Sequence, residues 1–184
     1  LDTLVSLRER EEYYTAHPGS FVGKNGVYKG RFVKMQNSSP NMQVMKKLAK
    51  SREIDDLEAL EQLAYNSAYK YSNFNNNWVD LNIVAKEVGV PLEELQKLMA
   101  KNGPMVEVKD TVYTNILQVL EFVAPGEVTP FEFNSEKIKE IIISRRKQEL
   151  LSALQRDILR DALNNNKIKI IDEDGIECVE YLYN

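Results

Sequence analysis

Apolar residues recur along this chain with two spacings, one typical of helices and one typical of strands. Spacings of three and four residues predict amphipathic helices, whereas apolar and polar residues that alternate predict strands with one buried face. We therefore expect helices over residues 6–16, 42–50, 83–89 and 91–99, and another from about Asp55 to just before Asn73. Strands are expected over residues 27–35, 105–108 and 112–123. The last two form a hairpin that turns near Lys109 and Asp110.

Two longer-range features complete the predicted α+β fold. Ser135 opens a helix that runs to about Leu163, with apolar residues at multiples of four and basic residues on the opposite side. The apolar positions are Ile138, Ile142, Leu150, Leu154, Ile158 and Ala162. After Asn164 the chain resembles a terminal hairpin around Asp174 and Gly175.

Short signals mark several predicted element boundaries. Ser6 followed by Glu9 has the spacing of a capping box, in which each side chain accepts a hydrogen bond from the other residue's backbone. The same pattern at Asp55 and Glu58 predicts a cap for the helix that follows. The asparagine-rich stretch 73–77 predicts a turn.

Composition fits a globular chain and argues against several classes of partner. The 184 residues are 43% hydrophobic and 28% charged, enough for one medium domain or a small domain with helical extensions. Its apolar runs are much shorter than the roughly 20 residues of a membrane-spanning helix. The net charge of -4 disfavours a nucleic-acid partner, because a phosphate backbone would be repelled. The single cysteine, Cys178, excludes an internal disulfide and a cysteine-rich zinc site.

Candidate catalytic chemistry is sparse. His17 is the only histidine, so a histidine-based triad or a zinc site would lack ligands, and a structural role is expected for it. The glutamates near Glu11 fit a solvated helix face better than paired catalytic carboxylates. No glycine-rich phosphate-binding loop is present. We therefore expect neither a metal nor another cofactor.

A helix-turn-helix arrangement over residues 80–103 is a minor alternative. Its second helix would enter a major groove in a DNA-binding protein. That helix begins with Glu93 and Glu94, which would meet phosphates unfavourably.

Aromatic residues are concentrated between residues 65 and 78. Most should be core, since tyrosine and tryptophan bury a large area, but some could line a groove for apolar peptide segments. The candidate peptide-binding residues are Tyr65, Tyr69, Phe74 and Trp78.

Several segments, in their order, resemble the SurA/PrsA-like family of peptidyl-prolyl isomerase chaperones. Residues 6–21 are similar to the linker helix that precedes the parvulin domain of that family, and residues 30–35 to the first strand of the domain. Residues 60–72 resemble a helix of the domain, and residues 113–123 its last strand. Residues 125–170 resemble the connection and the returning C-terminal helix.

The resemblance implies a domain organisation and a departure from catalysis. It implies an N-terminal linker helix over 1–26, a divergent parvulin-like domain over 27–124, and a long helix with a terminal hairpin over 125–184. Active members carry a histidine in the first strand and another in the last, on either side of a cleft that binds proline. The matching positions here are Phe32 and either Thr114 or Asn115. The glycine-rich segment of the family is replaced by residues 75–81.

The resemblance also implies a function. Such proteins escort unfolded outer-membrane or secreted polypeptides in the periplasm of gram-negative bacteria, and we expect the same here. Membrane association is expected only through an anchor removed ahead of Leu1, and the oligomeric state stays open. An active isomerase with a rearranged site is the main alternative, because prolyl isomerisation requires only the twisting of an amide and no covalent step.

Overall fold

The computed structural model describes residues 1–165, 170–171 and 177–178. The chain divides into two compact units, one formed by Glu11–Ser135 and the other by Leu1–Arg10 with Glu136–Asn184. The three segments implied by the family resemblance, with boundaries at residues 26 and 124, stay a prediction.

The described chain forms six α-helices and seven strands. The helices are α1 (Leu7–Ala16), α2 (Met42–Lys50), α3 (Ile54–Ser67), α4 (Leu81–Val88), α5 (Leu92–Met99) and α6 (Phe131–Asn164). The strands are β1 (Val27–Gln36), β2 (Lys70–Ser72), β3 (Val79–Asp80), β4 (Met105–Lys109), β5 (Tyr113–Val123), β6 (Ile170–Ile171) and β7 (Glu177–Cys178). Two short 3-10 helices, Pro18–Phe21 and Phe74–Asn76, lie between them. The expected α+β class is confirmed.

An antiparallel sheet organises the larger unit. Its strand order is β2-β1-β5-β4, and β3 pairs with the beginning of β1. The central pair β1 and β5 runs from Val27 opposite Val123 to Gln36 opposite Tyr113. The predicted hairpin is confirmed as β4 and β5, whose turn is fixed by Asp110 Oδ1, an acceptor from the backbone N–H groups of Val112 and Tyr113.

Each face of this sheet is covered by a pair of helices. Because side chains alternate along a strand, Phe32 and Leu117 point to one face while Val33 and Ile116 point to the other. The first core packs the first face against α4 and α5, and the second core packs the other face against α2 and α3. The two cores, one on each face of the sheet, account for the central position of β1 and β5, although only about half of the β1 residues are apolar.

A close approach between β1 and β5 requires glycine at position 30. A Cβ atom there would lie 1.9 Å from the carbonyl oxygen of Gln118 and 2.5 Å from Tyr28 Oη. The register of the two strands shifts between Lys29 and Gly30. Tyr28 Oη donates to that same Gln118 carbonyl, and burial raises the pKa of the phenol far above its ordinary value.

The smaller unit is built on α6, whose 34 residues correspond to about 51 Å of helix. Arg146 of α6 donates to the carbonyl oxygens of Asp2 and Leu4 and forms an ion pair with Glu9. The predicted capping box is confirmed, since Ser6 N–H donates to Glu9 at 2.9 Å and Glu9 N–H donates to Ser6 Oγ at 3.1 Å. The hydrogen bond from the Ser6 backbone lowers the pKa of Glu9, assisted by Arg146.

Several predicted boundaries were wrong. The long helix begins at Phe131 rather than Ser135, because Asn134 donates to Thr129 Oγ1 and the Pro130 carbonyl and so fixes an earlier first turn. Asp55 lies inside the first turn of α3, whose N-cap is Glu53 without a side-chain cap.

Helix α3 also ends earlier than expected, and the sequence analysis did not identify β2 or β3. The chain leaves α3 at Ala68 and pairs with β1, as the Tyr69 N–H donates to the Lys34 carbonyl. Helix α4 begins at Leu81 because Asp80 accepts from the Asn82 N–H.

Strands β6 and β7 pair antiparallel, which confirms the terminal hairpin for those four residues. The predicted turn at Asp174 and Gly175 lies outside the described residues.

Candidate functional site

The positions that match the family's histidines are interior packing positions. Phe32 is fully buried in the first core, where it is packed with residues such as Leu81 and Leu117. Thr114 and Asn115 are 2% exposed. None of the three side chains titrates near neutral pH, so these three positions supply no acid or base.

Their hydrogen bonds support that conclusion. Thr114 Oγ1 donates to Asn37 Oδ1 at 2.6 Å, and Asn115 Nδ2 donates to the Val108 carbonyl at 3.3 Å. Both groups tie β5 to neighbouring parts of the chain. They act as structural polar contacts between strands and turns.

His17 packs against the last turn of α1. Its ring stacks on Tyr13 with centroids 4.2 Å apart, and Nδ1 lies 2.9 Å from the Tyr13 carbonyl oxygen. The side chain thus helps to close the turn after α1.

A polar cluster on the second face of the sheet is likewise structural. The Glu61 carboxylate accepts from Arg31 Nε at 3.1 Å and from Tyr71 Oη at 3.0 Å, while Arg31 also donates to Gln118 Oε1. Burial, with the Glu61 hydrogen bond, raises the pKa of Tyr71 to about 12. The phenol therefore stays protonated at neutral pH and cannot serve as a base there.

Three of the four predicted peptide-binding aromatics, Tyr65, Tyr69 and Phe74, contact different aromatic rings. Tyr65 lies 5.9 Å from Tyr71 between ring centroids, and Tyr69 lies 4.8 Å from Tyr113. The Lys34 ammonium is over both rings of the second pair, 4.8 Å from the centroid of Tyr113.

Phe74 meets Tyr28 edge-on at 6.0 Å and packs against the first core. It begins a left-handed turn of three residues with Asn75 and Asn76, whose φ values are 51°, 56° and 56°. The predicted asparagine-rich turn is thus confirmed, and it places the Phe74 ring against the sheet rather than in a groove.

Two grooves of similar size each contain one of the four aromatics. A groove of about 550 Å³ has Tyr69 at its side and is otherwise lined by polar or small residues of the loops before α2 and after α3. The Trp78 groove, of about 560 Å³, is lined by Lys29, Trp78, Glu121, Phe122, Val123, Pro130 and Glu132. Neither groove contains a second member of the predicted set, so their shared role in peptide binding stays a prediction.

The Trp78 groove combines apolar walls with charged rims. Trp78 and Phe122 are half-buried, so parts of both rings remain in contact with solvent. Lys29 and Glu121 are 3.9 Å apart across the β1 and β5 pair, and Glu132 adds a second exposed carboxylate. This lining fits an apolar segment that carries a basic side chain.

The largest concentration of exposed apolar side chains lies on α6. Leu150, Leu151, Leu154 and Ile158, here called the apolar row, are between 44% and 67% exposed. At 3.6 residues per turn they fall within an arc of about 100° on one side of the helix. Lys147 and Asp161 are exposed on the same side of the helix, three residues before and three residues after the row.

The sequence analysis identified the spacing of this row but not its exposure. Leu150, Leu154 and Ile158 continue the four-residue repeat of Ile138, which is fully buried. Periodicity alone does not distinguish a buried stripe from an exposed one. The row was therefore missed as a candidate site.

Helices α4 and α5 pack in the first core. Most of their apolar side chains, among them Val84 and Leu95, are buried against the sheet, and Glu93 and Glu94 occupy the first turn of α5. An acidic start of the second helix is unfavourable beside phosphates. The geometry thus gives no support to the DNA-binding alternative.

The described residues offer neither a metal site nor a membrane-spanning helix. They contain no group of three histidine, cysteine, aspartate or glutamate side chains that could hold a metal ion. In the same part of the chain, no helix has the length and apolar character needed to cross a membrane.

Comparison with known proteins gives one distant structural resemblance. No protein-family model and no curated protein matches the chain. A solved structure is similar in fold with a TM-score of 0.36 and 12% sequence identity, over 86% of this chain. It comes from a study of two structurally related SurA-like chaperones of Campylobacter jejuni, the virulence factor PEB4 and the periplasmic protein Cj1289. The chain spans 63% of the length of that structure.

Proposed function

We propose that this protein is a folding chaperone that binds unfolded polypeptides through exposed apolar side chains. The observation that carries the proposal is the apolar row, four large side chains exposed within nine residues of α6. Contiguous exposed apolar surface marks sites of interaction with other molecules, whereas single exposed apolar residues need no explanation.

The chemistry of the row fits an unfolded client better than a folded one. An unfolded chain presents apolar side chains in no fixed arrangement, and aliphatic leucine and isoleucine side chains can cover them without requiring directional bonds. Burial of apolar area contributes about 25 cal/mol per Å², so several weak contacts combine into useful affinity. The charged residues Lys147 and Asp161 keep the ends of the row hydrated.

The Trp78 groove is a second proposed contact, in the other compact unit. Aromatic rings supply a large contact area at low conformational cost, and Trp78 and Phe122 could cover an apolar side chain of a client. Tyr65 and Tyr69, which are 80% and 66% exposed, and Phe74 are retained as further proposed client contacts.

The kind of client and the compartment follow from the resemblance seen in the sequence. We place the protein in the periplasm and assign it unfolded outer-membrane or secreted polypeptides as clients. Binding requires no cofactor. It also requires no ionisable catalytic group, which agrees with the buried phenylalanine at position 32.

A light-scattering assay tests this function. An unfolded outer-membrane β-barrel protein is diluted from urea into buffer with and without this protein. We expect aggregation to be suppressed at near-equimolar ratios, because the apolar row covers exposed client segments. Undiminished scattering, together with no binding of the unfolded chain at micromolar concentrations, would contradict the proposal. The same samples, assayed with a protease-coupled proline peptide, should isomerise no faster than the uncatalysed reaction.

A further inference from the structure

Strand β5 has neighbouring strands on both sides over part of its length and on one side only over the rest. Its residues 114–118 pair with β1 on one side and with β4 on the other. Pairing with β4 ends where Met105 meets Gln118, while β1 continues to pair with β5 as far as Val123. Residues 120–123 of β5, here called the open edge, therefore have a strand partner on one side only among the described residues.

Hydrogen bonds at the beginning of β4 stop its pairing with β5 from extending beyond Met105 and Gln118. The Val119 N–H donates to the Pro104 carbonyl at 2.9 Å, and the Arg52 guanidinium donates to the carbonyl oxygens of Pro104 and Val119. Beyond this point lies a groove of about 330 Å³ lined in part by Gly103 and by residues 119–122. The groove leaves room beside the open edge where a continuation of β4 would lie.

Two grooves are lined in part by residues of the open edge. The 330 Å³ groove and the Trp78 groove share Glu121 and Phe122 as lining residues. Neighbouring residues of a strand point to opposite faces, so Glu121 presents a carboxylate on one face and Phe122 an aromatic ring on the other. The Glu121 side chain is 59% exposed and Glu132 also lines the Trp78 groove, while Lys29 and, in the 330 Å³ groove, Arg52 carry positive charge.

From this geometry we infer that the open edge of β5 binds an extended polypeptide segment as an added antiparallel or parallel strand. Unpaired backbone N–H and C=O groups at a sheet edge are a template for another extended chain. An apolar residue of the segment contacts Phe122 on one face of the sheet, and a lysine or arginine next to it meets the Glu121 carboxylate on the other. That the bound segment belongs to a client rests on the proposed function. That it binds as an added strand does not.

The test uses a blocked heptapeptide that alternates valine and threonine around a central lysine. Isothermal titration of the full chain should give saturable binding, and hydrogen exchange at the amides of residues 120–123 should slow on addition of the peptide. A peptide methylated on alternate backbone nitrogens keeps the side chains but loses donors, so we expect its affinity to fall at least tenfold.

Charge reversal supplies a matched pair of variants. Glu121→Lys should weaken the lysine peptide about tenfold and strengthen a peptide with glutamate at the centre. Glu94→Lys, on the exposed face of α5, makes the same change in net charge and should leave both affinities unchanged. Equal effects of the two variants, or equal binding of the methylated peptide, would overturn the inference.

Three outcomes separate this inference from the proposed function. If the unmodified protein suppresses aggregation but does not bind the heptapeptide, the open-edge site is wrong and the chaperone function stands. Peptide binding by a protein that suppresses no aggregation would leave the site standing and overturn the chaperone function. Concentration-dependent self-association abolished by Glu121→Lys, with no peptide binding, would assign the edge to a second copy of this chain and overturn the inference.

Discussion

Replacing Leu150, Leu154 and Ile158 together with glutamine is expected to weaken binding of an unfolded β-barrel protein by at least about tenfold. Contacts that bury a few tens of Å² on each side chain contribute on the order of 1 kcal/mol apiece. A loss of 1.4 kcal/mol corresponds to about tenfold in affinity. Fluorescence anisotropy of a labelled unfolded client measures the change. Glutamine is a good helix former, so the circular dichroism of α6 should be retained.

The matched control replaces three exposed apolar residues on other helices. Val44 in α2, Ile54 in α3 and Ile83 in α4 are between 51% and 73% exposed, and all three are changed to glutamine. This variant removes a comparable amount of exposed apolar area but not a contiguous row, so client affinity should stay within about twofold. Equal loss in both variants would show that binding follows total apolar exposure and not α6.

Phe32→His is expected to lower the free energy of unfolding by about 2–4 kcal/mol without creating isomerase activity. Phe32 is fully buried, packed with Tyr28, Leu81 and Leu117 in the first core. An imidazole there fills less volume and places polar nitrogens among apolar side chains. Burial also disfavours the charged form of histidine. Urea unfolding measures the first effect and a protease-coupled proline peptide the second.

Phe32→Leu is the control for this position. It removes aromatic volume but adds no polar atom, so the loss of stability should be smaller, about 1–1.5 kcal/mol. A histidine variant as stable as the unmodified protein would show that position 32 borders an accessible cleft. Isomerase activity in that variant would revive the catalytic alternative.

The parts of the fold that the sequence predicted best have strong local signals. Ser6 and Glu9 form their capping box because the interaction spans three residues and needs no tertiary partner. The hairpin of β4 and β5 was predicted from two strand patterns around Asp110, whose carboxylate holds the turn. Helical spacing likewise located α2, α5 and most of α6.

Elements fixed by long-range contacts escaped prediction. Strand β2 has three residues and follows α3 closely, and it exists because residues 70–72 find β1 beside them. The early start of α6 depends on the hydrogen bonds that Asn134 makes with Thr129 and Pro130. Such contacts leave no periodic trace in the sequence.

The candidate sites show the same difference between features with a local sequence signal and features that depend on long-range contacts. The sequence disfavours a histidine-based triad or zinc site, because a chain with one histidine lacks the ligands for it. It selected aromatics by their density between residues 65 and 78, but the rings of Tyr65, Tyr69 and Phe74 pair with different neighbours. Exposure of the apolar row and the open edge of β5 depend on which elements pack nearby. Both are properties of the tertiary structure that residue spacing does not encode.

Site-specific photocrosslinking tests the central claim most directly. A photoreactive phenylalanine derivative replaces Leu154 in the apolar row, and in a second protein it replaces Ile83, which is similarly exposed on α4. Mixed with an unfolded β-barrel protein and irradiated, the Leu154 variant should crosslink to the client in high yield and the Ile83 variant only weakly. Strong crosslinking from position 83 with none from position 154 would contradict the assignment of α6 as the client-binding surface.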